Sequence, residues 1–583
     1  MKNRLKLVQI FLFLGIITIS ARLWYWQIIK SDDMIAKAES QRTYTKTIIA
    51  PRGNILFSDG TLLATYQPTY LVFAQPKLIS DKSQAAKKLA PIFWENRQFK
   101  QLPANNSETT KKTYEEKIKT IEQEILNNLS KDLFWISLER RVSSEMKDKI
   151  EKLNLKGIGF DTYLTRFYPE GSSSAHLLGF VGSDVYGVDT GYFGLEGFYN
   201  GELKGKNGEL LQDRDAQGLP ILIGTYKVKE PKPGKTLLLN IDRTVQTIVE
   251  ESLKKGIKKY GAEGASAVVM DPRTGNILGL ASFPNYDPAL PTLYLKEYYK
   301  NAVTAGGFEP GSTFKILVAA AGINEGVITP DTICDICSGP VNISRYSIRT
   351  WNNKYKKDST MTDVIVNSDN TGMVFIGRKL GLDKLYEYLE KFGIGKITGV
   401  DLQDEYSPDL RPKNEWREID VATATFGQGI SVTPIQIVKA VGVIANGGIM
   451  MEPHVVKAVK DEKSMYQVSS KEVARPITPE TAKQVTEMMV KAVEAGESKF
   501  AKPKGYKVAG KTGTAQIPIA GKYDPSKTIA SFVGFAPVFD PKFVMLVRFD
   551  QPRSSIYGSE TAAPTFFEIA KELFIYFNIP PTE

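Results

Sequence analysis

The 583-residue chain is too long for one ordinary hydrophobic core, so we expect at least two domains. Its content of 42% hydrophobic and 24% charged residues is that of a folded protein and excludes global disorder. The net charge of +10 suits an anionic surface or polymer, but no nucleic-acid-binding motif accompanies it, so we expect no nucleic-acid partner.

The N-terminus predicts one membrane-spanning helix. Three basic residues precede an apolar run at residues 7–21, and Arg22 and three aromatic residues follow it. A spanning helix needs about 20 residues, a length reached when Arg22 snorkels and the aromatic residues mark the interface. A cleaved signal peptide is the alternative, but bulky residues stand where cleavage requires small ones. We therefore predict an uncleaved anchor at residues 1–30, with its positive end inside and the rest extracytoplasmic.

Residues 31–233 are predicted to form a mixed domain of strands and helices. Asp59 and Gly60 lie between apolar runs and predict a hairpin turn. Residues 80–155 are rich in Lys and Glu, so we expect helices with polar faces, forming an insertion without chemistry. A Pro- and Lys-rich linker at residues 227–235 places a domain boundary near residue 233.

Residues 234–583 are predicted to form the catalytic domain, with strand patterns near both ends and a helical middle. This distribution predicts an α+β domain in which an antiparallel sheet is faced by helices. The expected strands are residues 236–242, 265–270, 276–281, 528–538 and 542–549, and the expected flanking helices are residues 243–255 and 562–577.

The stretch around Ser312 carries the first candidate for chemistry. Pro310 and Gly311 interrupt what precedes them, and residues 312–324 are good helix formers. Ser312 and Lys315 then lie on one helix face, about one turn apart. A helix N-terminus favours an oxyanion, and a lysine whose pKa is lowered by burial can act as a base. The pair therefore predicts a serine nucleophile with a lysine activator.

Ser-x-x-Lys alone is a weak signal, because it also occurs at Ser144 and Ser252. Both of these lie in charged amphipathic stretches and are expected on solvated helix faces. The chain has two histidines, and neither stands in a recognisable catalytic context, so lysine is favoured over histidine as the base.

Two further motifs follow Ser312 in order: Ser368-Asp-Asn370, then Lys511-Thr-Gly-Thr514. The set of three resembles that of penicillin-binding proteins and class A β-lactamases. Segments around Arg52, Arg166 and Glu196 also resemble pedestal motifs of class B penicillin-binding proteins, which class A β-lactamases lack. Arg166 and Glu196 carry opposite charges and are expected to form an ion pair between two of these segments. His176 lies in the same region and is expected to be structural.

Residues 511–516 and 426–434 look more like the division (FtsI) type than the elongation type of class B enzyme. Residues 426–436 and 445–448 are expected to shape the cleft without a catalytic step. The resemblance implies a penicillin-binding transpeptidase domain behind the pedestal domain and the anchor.

The resemblance implies a role for each motif residue. Ser312 attacks the substrate carbonyl, and the backbone N–H groups of Ser312 and Thr514 form the oxyanion hole. The Ser368 hydroxyl relays a proton to the leaving amine, while Asn370 binds the substrate amide. Gly513 leaves room for the substrate. The residues implied as catalytic are Ser312, Lys315, Ser368, Asn370 and Lys511. Those implied as substrate-binding are Thr512, Gly513 and Thr514. The terminal carboxylate of the substrate is expected to bind to Lys511, Thr512 and Thr514.

The implied function is peptidoglycan D,D-transpeptidation, with a D-Ala-D-Ala stem peptide as donor, an amine acceptor and β-lactams as inhibitors. No metal or other cofactor is expected. Implied partners are a polytopic FtsW/RodA-like glycan polymerase and divisome proteins, because no polymerase domain precedes the pedestal. A β-lactamase is the first alternative, but no Glu-x-x-Leu-Asn string lies between Asn370 and Lys511. A non-catalytic β-lactam sensor or scaffold is the second, although all three motifs are intact.

Cys334 and Cys337 form a Cys-x-x-Cys pair. A zinc site would need two more ligands at finger-like spacing, and none stand nearby. A local disulfide and a free pair without function both remain open.

Overall fold

The computed structural model describes residues 2–98, 108–213, 221, 226–519 and 522–581. Residues 99–107 of the predicted insertion lie outside the described residues. The helices are α1 (Lys2–Trp24), α2 (Ser31–Arg42), α3 (Lys82–Gln98), α4 (Glu108–Leu129), α5 (Ser144–Glu151), α6 (Ala175–Leu178), α7 (Gly194–Phe198), α8 (Asn200–Leu203), α9 (Arg243–Tyr260), α10 (Ala302–Ala305), α11 (Lys315–Asn324), α12 (Met361–Val366), α13 (Asn370–Lys391), α14 (Glu418–Ala424), α15 (Pro434–Ala445), α16 (Pro479–Ala495) and α17 (Ala562–Tyr576).

The strands in the same ranges are β1 (Thr43–Ile48), β2 (Ile55–Leu56), β3 (Leu62–Ala74), β4 (Ile136–Val142), β5 (Ile158–Phe167), β6 (Phe180–Ser183), β7 (Asp189–Tyr192), β8 (Gly208–Asp213), β9 (Tyr226–Lys229), β10 (Thr236–Leu239), β11 (Gly264–Met270), β12 (Ile277–Phe283), β13 (Val341–Ile343), β14 (Tyr346–Ile348), β15 (Met450–Met451), β16 (Val456–Lys460), β17 (Met465–Gln467), β18 (Glu472–Ala474), β19 (Ala509–Ile519), β20 (Lys522–Ala536) and β21 (Phe543–Asp550).

Met1–Arg52 and Lys204–Gly234 form one compact unit. Its helix α1 continues into a π-helical turn, Tyr25–Ile29. The 28 residues Lys2–Ile29 have a mean hydropathy of 1.9 and are long and apolar enough to cross a membrane. This agrees in place and composition with the predicted anchor. Strand β8 pairs antiparallel with β1 and with β9.

Gly53–Leu203 and Lys235–Glu583 form the second unit. Its central sheet has the order β12–β11–β21–β20–β19, and every neighbouring pair is antiparallel. Successive side chains of a strand point to opposite faces. In β21, Phe543, Met545 and Val547 accordingly pack with α9 and α17, while Val544 and Leu546 pack on the other face with α11 and α15. This layered α+β arrangement confirms the predicted fold.

A second sheet of this unit has the order β17–β16–β10–β2–β3–β4, and β5 pairs with β3. The turn between β2 and β3 contains Asp59 and Gly60, and the Asp59 carboxylate accepts the Thr61 N–H at 2.9 Å. The predicted hairpin is therefore confirmed. Strand β10, the first strand after the Pro/Lys linker, pairs parallel with β2 rather than joining the central sheet.

The expectation that residues 80–155 are helical is wrong in one part. Helices α3, α4 and α5 are present, but β4 is a strand paired with β3. Charged residues such as Glu139 hid the strand pattern. Glu139 is held near the Arg97 guanidinium, with a separation of 2.7 Å between Nη2 and Oε2, so its charge is compensated where the strand is half-buried.

Ser252 also contradicts its prediction, because it is buried on α9 and not on a solvated face. Ser144 is exposed as expected. A serine hydroxyl is small enough to be buried on the inner face of a charged amphipathic helix, which the local composition does not reveal.

The structure also decides the ion pair, the histidine and the cysteine pair. Arg166 Nε lies 2.6 Å from Glu196 Oε1, and both side chains are buried, which confirms the ion pair. His176 is buried, with Nε2 at 2.8 Å from the Tyr298 carbonyl oxygen, and burial lowers its pKa to about 4. These surroundings are those of a structural histidine. Cys334 and Cys337 are joined by a disulfide.

Candidate active site

Ser312 lies in a 3-10 turn, Gly311–Phe314, that leads directly into α11. The sequence predicted an α-helix from Ser312 onward; the structure begins the α-helix at Lys315, so the serine is still one turn ahead of the lysine. Gly311 has φ +54, and a Cβ there would lie 3.1 Å from the Thr514 carbonyl oxygen. A glycine is therefore required for the turn to approach β19 this closely.

Lys315 is the buried centre of the cluster, with 0% of its surface exposed. Its Nζ donates hydrogen bonds to the Ser368 carbonyl oxygen at 2.6 Å, to Ser368 Oγ at 3.3 Å and to Asn370 Oδ1 at 2.8 Å. Burial lowers the pKa of Lys315 well below its usual 10.5, and the nearby Lys511 ammonium lowers it further. A neutral amine, which can accept a proton, is thereby favoured.

Ser368 lies in the short link between α12 and α13, with φ +56. This left-handed conformation is strained for a serine and is typical of functional sites. It directs the Ser368 carbonyl and hydroxyl oxygens to the same amine, Lys315 Nζ. The Asp369 side chain caps α13 by accepting the N–H groups of Thr371 and Gly372, and the Asn370 amide donates to the Arg349 carbonyl oxygen at 2.9 Å.

Lys511 reaches the same hydroxyl from the opposite wall, on β19. Its Nζ donates to Ser368 Oγ at 3.0 Å and to Thr512 Oγ1 at 3.2 Å. Burial lowers the pKa of Lys511, while the Glu497 carboxylate acts in the opposite direction. The Ser368 hydroxyl thus lies between two buried amines and can pass a proton between them.

Gly513 and Thr514 fix the local shape of β19. A Cβ at Gly513 would lie 2.5 Å from Ser531 Oγ and 2.8 Å from Thr313 Cγ2, so the position has no room for a side chain. Thr514 Oγ1 accepts the Gly558 N–H at 3.0 Å. The half-exposed Thr514 and Ser312 face the accessible side of a cluster whose lysines are buried.

The segment after Phe426 lies against the nucleophile turn, as expected of a segment that shapes the cleft. The Gly311 N–H donates to the Gly427 carbonyl oxygen at 3.0 Å. Glu309 accepts the Gly429 N–H at 3.1 Å and the Tyr523 hydroxyl at 3.1 Å. Within residues 2–98, 108–213, 226–519 and 522–581, no group of three or more His, Cys, Asp and Glu side chains could hold a metal ion.

The structure therefore brings Lys315, Ser368, Asn370 and Lys511 into one hydrogen-bonded cluster, with the Ser312 turn directly before α11. The arrangement offers a hydroxyl nucleophile, a buried amine and a relay hydroxyl, which are the parts needed for acyl transfer. Sequence reasoning assigned no role to Asp369 and did not consider Glu497. Asp369 had a usable signal, because it directly precedes a helix as an N-cap residue does. Glu497 had none, because it stands in no motif.

Comparison with known proteins identifies the family. The model of the penicillin binding protein transpeptidase domain matches residues 265–571, which contain the whole cluster, and the model of the penicillin-binding protein dimerisation domain matches residues 47–239. The chain belongs to the class B penicillin-binding proteins. This is a family of peptidoglycan D,D-transpeptidases, and its members bind β-lactams.

Relatives and solved structures match nearly the full chain. Stage V sporulation protein D of Bacillus subtilis is 33% identical, with 100% of this chain and 86% of the relative covered. Peptidoglycan D,D-transpeptidase FtsI of Escherichia coli is 28% identical, with coverages of 98% and 91%. A peptidoglycan synthetase structure from Bifidobacterium adolescentis has a TM-score of 0.71 at 27% identity, covering 93% of this chain and 98% of that one.

Proposed function

We propose that this class B penicillin-binding protein cross-links peptidoglycan stem peptides through an acyl-Ser312 intermediate. The observation that carries the proposal is the Ser368 hydroxyl held between Lys315 and Lys511. Lys315 itself begins α11, directly after the turn that contains Ser312. In the first half-reaction Ser312 Oγ attacks the carbonyl carbon of the D-Ala-D-Ala bond, and its proton passes to the neutral Lys315 amine. The backbone N–H groups of Ser312 and Thr514 stabilise the oxyanion.

The same residues complete the reaction. The proton moves from Lys315 through Ser368 to the leaving D-Ala amine as the C–N bond breaks. Lys511, Thr512 and Thr514 hold the terminal carboxylate, and Asn370 binds the substrate amide. The amine of a second stem then attacks the acyl carbon and gives up a proton through Ser368 to Lys315. The C–O bond to Ser312 breaks, and the Lys315 proton passes to Ser312 Oγ, which regenerates the hydroxyl. A β-lactam would acylate Ser312 by the first half-reaction.

Mass spectrometry after exposure to labelled penicillin tests this proposal. We expect one adduct, on the peptide that contains Ser312, and none in a Ser312→Ala variant. Ser144→Ala is the matched control, since Ser144 also begins a Ser-x-x-Lys string but is itself exposed, and it should keep the adduct. An adduct on another side chain would overturn the proposal, and rapid hydrolysis of the adduct would favour the β-lactamase alternative.

Complementation in cells separates an enzyme from a sensor or scaffold. Ser312→Ala should not replace the native protein when that protein is depleted. Full complementation by Ser312→Ala would instead favour the non-catalytic role.

We further propose that cross-linking takes place at the division septum, in partnership with an FtsW/RodA-like glycan polymerase and divisome proteins. Support comes from the similarity to relatives named FtsI. In this proposal residues 1–30 anchor the chain with the catalytic part outside the cell membrane. Residues 31–233 form the pedestal, and residues 234–583 perform the chemistry.

Depletion tests the septal role. When the protein is depleted, we expect the cells to grow as filaments. Rounded cells would favour the elongation-type alternative. A block confined to sporulation would favour a second role, which is supported by the 33% identity to a stage V sporulation protein. Replacing residues 1–30 by an unrelated anchor should abolish co-purification with the polymerase, and unchanged co-purification would contradict the proposed contact.

A further inference from the structure

Glu497 is a carboxylate at the edge of the candidate site to which no role has been assigned. It follows the C-terminus of α16, the helix that packs along β19. The preceding Gly496 donates its N–H to the Ala492 carbonyl oxygen at 3.1 Å. A Cβ at Gly496 would lie 3.0 Å from the Val366 carbonyl oxygen, so this end of α16 fits closely against the chain that leads to Ser368.

Hydrogen bonds connect Glu497 to the lysines. The Thr512 hydroxyl donates to Glu497 Oε2 at 3.4 Å and accepts from Lys511 Nζ at 3.2 Å. Lys511 Nζ also donates to Ser368 Oγ at 3.0 Å, and Lys315 Nζ to the same oxygen at 3.3 Å. A continuous polar chain therefore runs from the Glu497 carboxylate to the amine of the proposed base.

The charges of the cluster give Glu497 its significance. Lys315 and Lys511 are 0% and 3% exposed, so two ammonium groups would have to share a buried site. Like charges in such a site repel strongly, and one nearby carboxylate can offset only one of them. Asp369 is the other carboxylate that acts on Lys315, but its Oδ1 already accepts hydrogen bonds from Thr371 and Gly372 at the start of α13.

We propose that Glu497 is a positioning residue of the transpeptidase reaction, whose carboxylate holds the single ammonium charge of the lysine pair on Lys511 rather than on Lys315. The Thr512 hydroxyl carries this effect, because it contacts both Glu497 and Lys511. A charged Lys511 can hold the terminal carboxylate of the substrate, and a neutral Lys315 can take the Ser312 proton. This inference rests on the function proposed above.

The pH dependence of acylation tests the inference. The full-length protein in detergent is reacted with a fluorescent penicillin, and the second-order rate constant is measured across the acid and alkaline limbs of its pH profile. Glu497→Gln removes the charge that raises the proton affinity of both lysines. Both limbs should therefore move to lower pH, by about one unit. Glu497→Asp, which keeps the charge, should hold both limbs near their wild-type positions.

Glu494→Gln is the matched control. It removes the same charge from the last turn of the same helix, where Glu494 is exposed and lies 3.9 Å from Lys502, and it should leave both limbs unmoved. A rate that falls in Glu497→Gln with unmoved limbs would overturn the inference in favour of a merely structural role, and so would an unchanged profile.

Two further results distinguish failure of this inference from unfolding of the variant and from failure of the proposed function. If Glu497→Gln lowers the melting temperature, Glu497→Ser carries the same test. Absence of a Ser312 adduct in the wild-type protein would overturn the proposed function itself. A wild-type adduct with unmoved limbs in the variant would overturn only the role of Glu497.

Discussion

Two places in this molecule bury charged side chains, and they do so in opposite ways. In the pedestal, Arg166 and Glu196 are 5% and 0% exposed and neutralise each other at 2.6 Å. In the candidate site, Lys315 and Lys511 are equally buried, carry the same sign and share the Ser368 hydroxyl. In the pedestal each buried charge is neutralised by its partner. In the candidate site the repulsion between the two ammonium groups is relieved only when one lysine gives up a proton.

This difference separates scaffold from chemistry. A buried pair of opposite sign is strongly destabilised when one partner is removed, because the other is left unpaired. A buried pair of like sign lowers the proton affinity of its members, and perturbed pKa values cluster at functional sites. Substitutions in the two places should therefore separate activity from stability.

The largest expected effect is on activity, from Lys315→Met. Removing the base should slow Ser312 acylation by about 10²–10⁴-fold, the usual contribution of a general base. The melting temperature should not fall, because the variant replaces a buried amine, which must give up its proton on folding, by an apolar side chain of similar length. Fluorescent penicillin labelling and differential scanning calorimetry measure both. Lys147→Met, in the Ser-x-x-Lys string that begins at the exposed Ser144, is the control. Equal acylation rates for the two variants would contradict the assignment of Lys315 as the base.

The opposite pattern is expected from Arg166→Met. It leaves the Glu196 carboxylate buried without its partner and should lower the apparent free energy of unfolding by about 3–5 kcal/mol. Acylation by the remaining folded protein should continue. Arg475→Met, which breaks the exposed pair with Glu472, should cost less than about 1 kcal/mol. Chemical denaturation checks the order, and equal losses for the two arginine variants would contradict the scaffold role.

Sequence patterns predicted the layered domain because hydrophobic periodicity decides where strands and helices form, as in β21 and α17. They predicted the site members because Ser312, Ser368 and Lys511 stand in short motifs. They did not predict β4, where charged residues interrupt the apolar alternation and only the partner strand β3 compensates for them. They also failed at Ser252, whose burial depends on which face of α9 meets the sheet.

The geometry of the cluster was equally beyond the sequence. The Ser368 hydroxyl contacts two lysines that are distant from it in the chain. Lys315 is more than 50 residues from Ser368, and Lys511 is more than 140 residues from it. Glu497 contributes through the end of α16, which no local motif announces. Long-range contacts of this kind are set by packing of whole elements, whereas motifs report only local spacing.

A smaller effect is expected from Gly513→Ala. The new Cβ would lie 2.5 Å from Ser531 Oγ and 2.8 Å from Thr313 Cγ2, so β19 must shift away from the nucleophile turn. Overpacking of this kind costs about 1–3 kcal/mol and should slow acylation. Gly339→Ala is the control, because nothing lies within 4 Å of its Cβ. Unfolding curves and labelling rates that match those of the Gly339 variant would contradict the close fit.

The smallest expected effect is a change of the free energy of unfolding with pH. It tests the site of the two buried lysines most directly. An unfolded lysine keeps its proton up to about pH 10.5, whereas the pKa of Lys315 in the folded protein lies well below 10.5. Between these two values the unfolded state binds more protons, so the stability contributed by Lys315 rises with pH. The free energy of unfolding of the wild type minus that of Lys315→Met should therefore increase by at most about 1.4 kcal/mol per pH unit.

Denaturant unfolding of both proteins at a series of pH values measures this difference. Lys147→Met should show no such rise, because Lys147 is only partly buried and the hydrogen bond to Glu151 raises its pKa. A flat difference for Lys315→Met would mean that the folded protein holds the Lys315 proton as tightly as the unfolded chain does. Lys315 would then be charged at neutral pH and unable to accept the Ser312 proton, and the distinction between the two buried charge sites would fail.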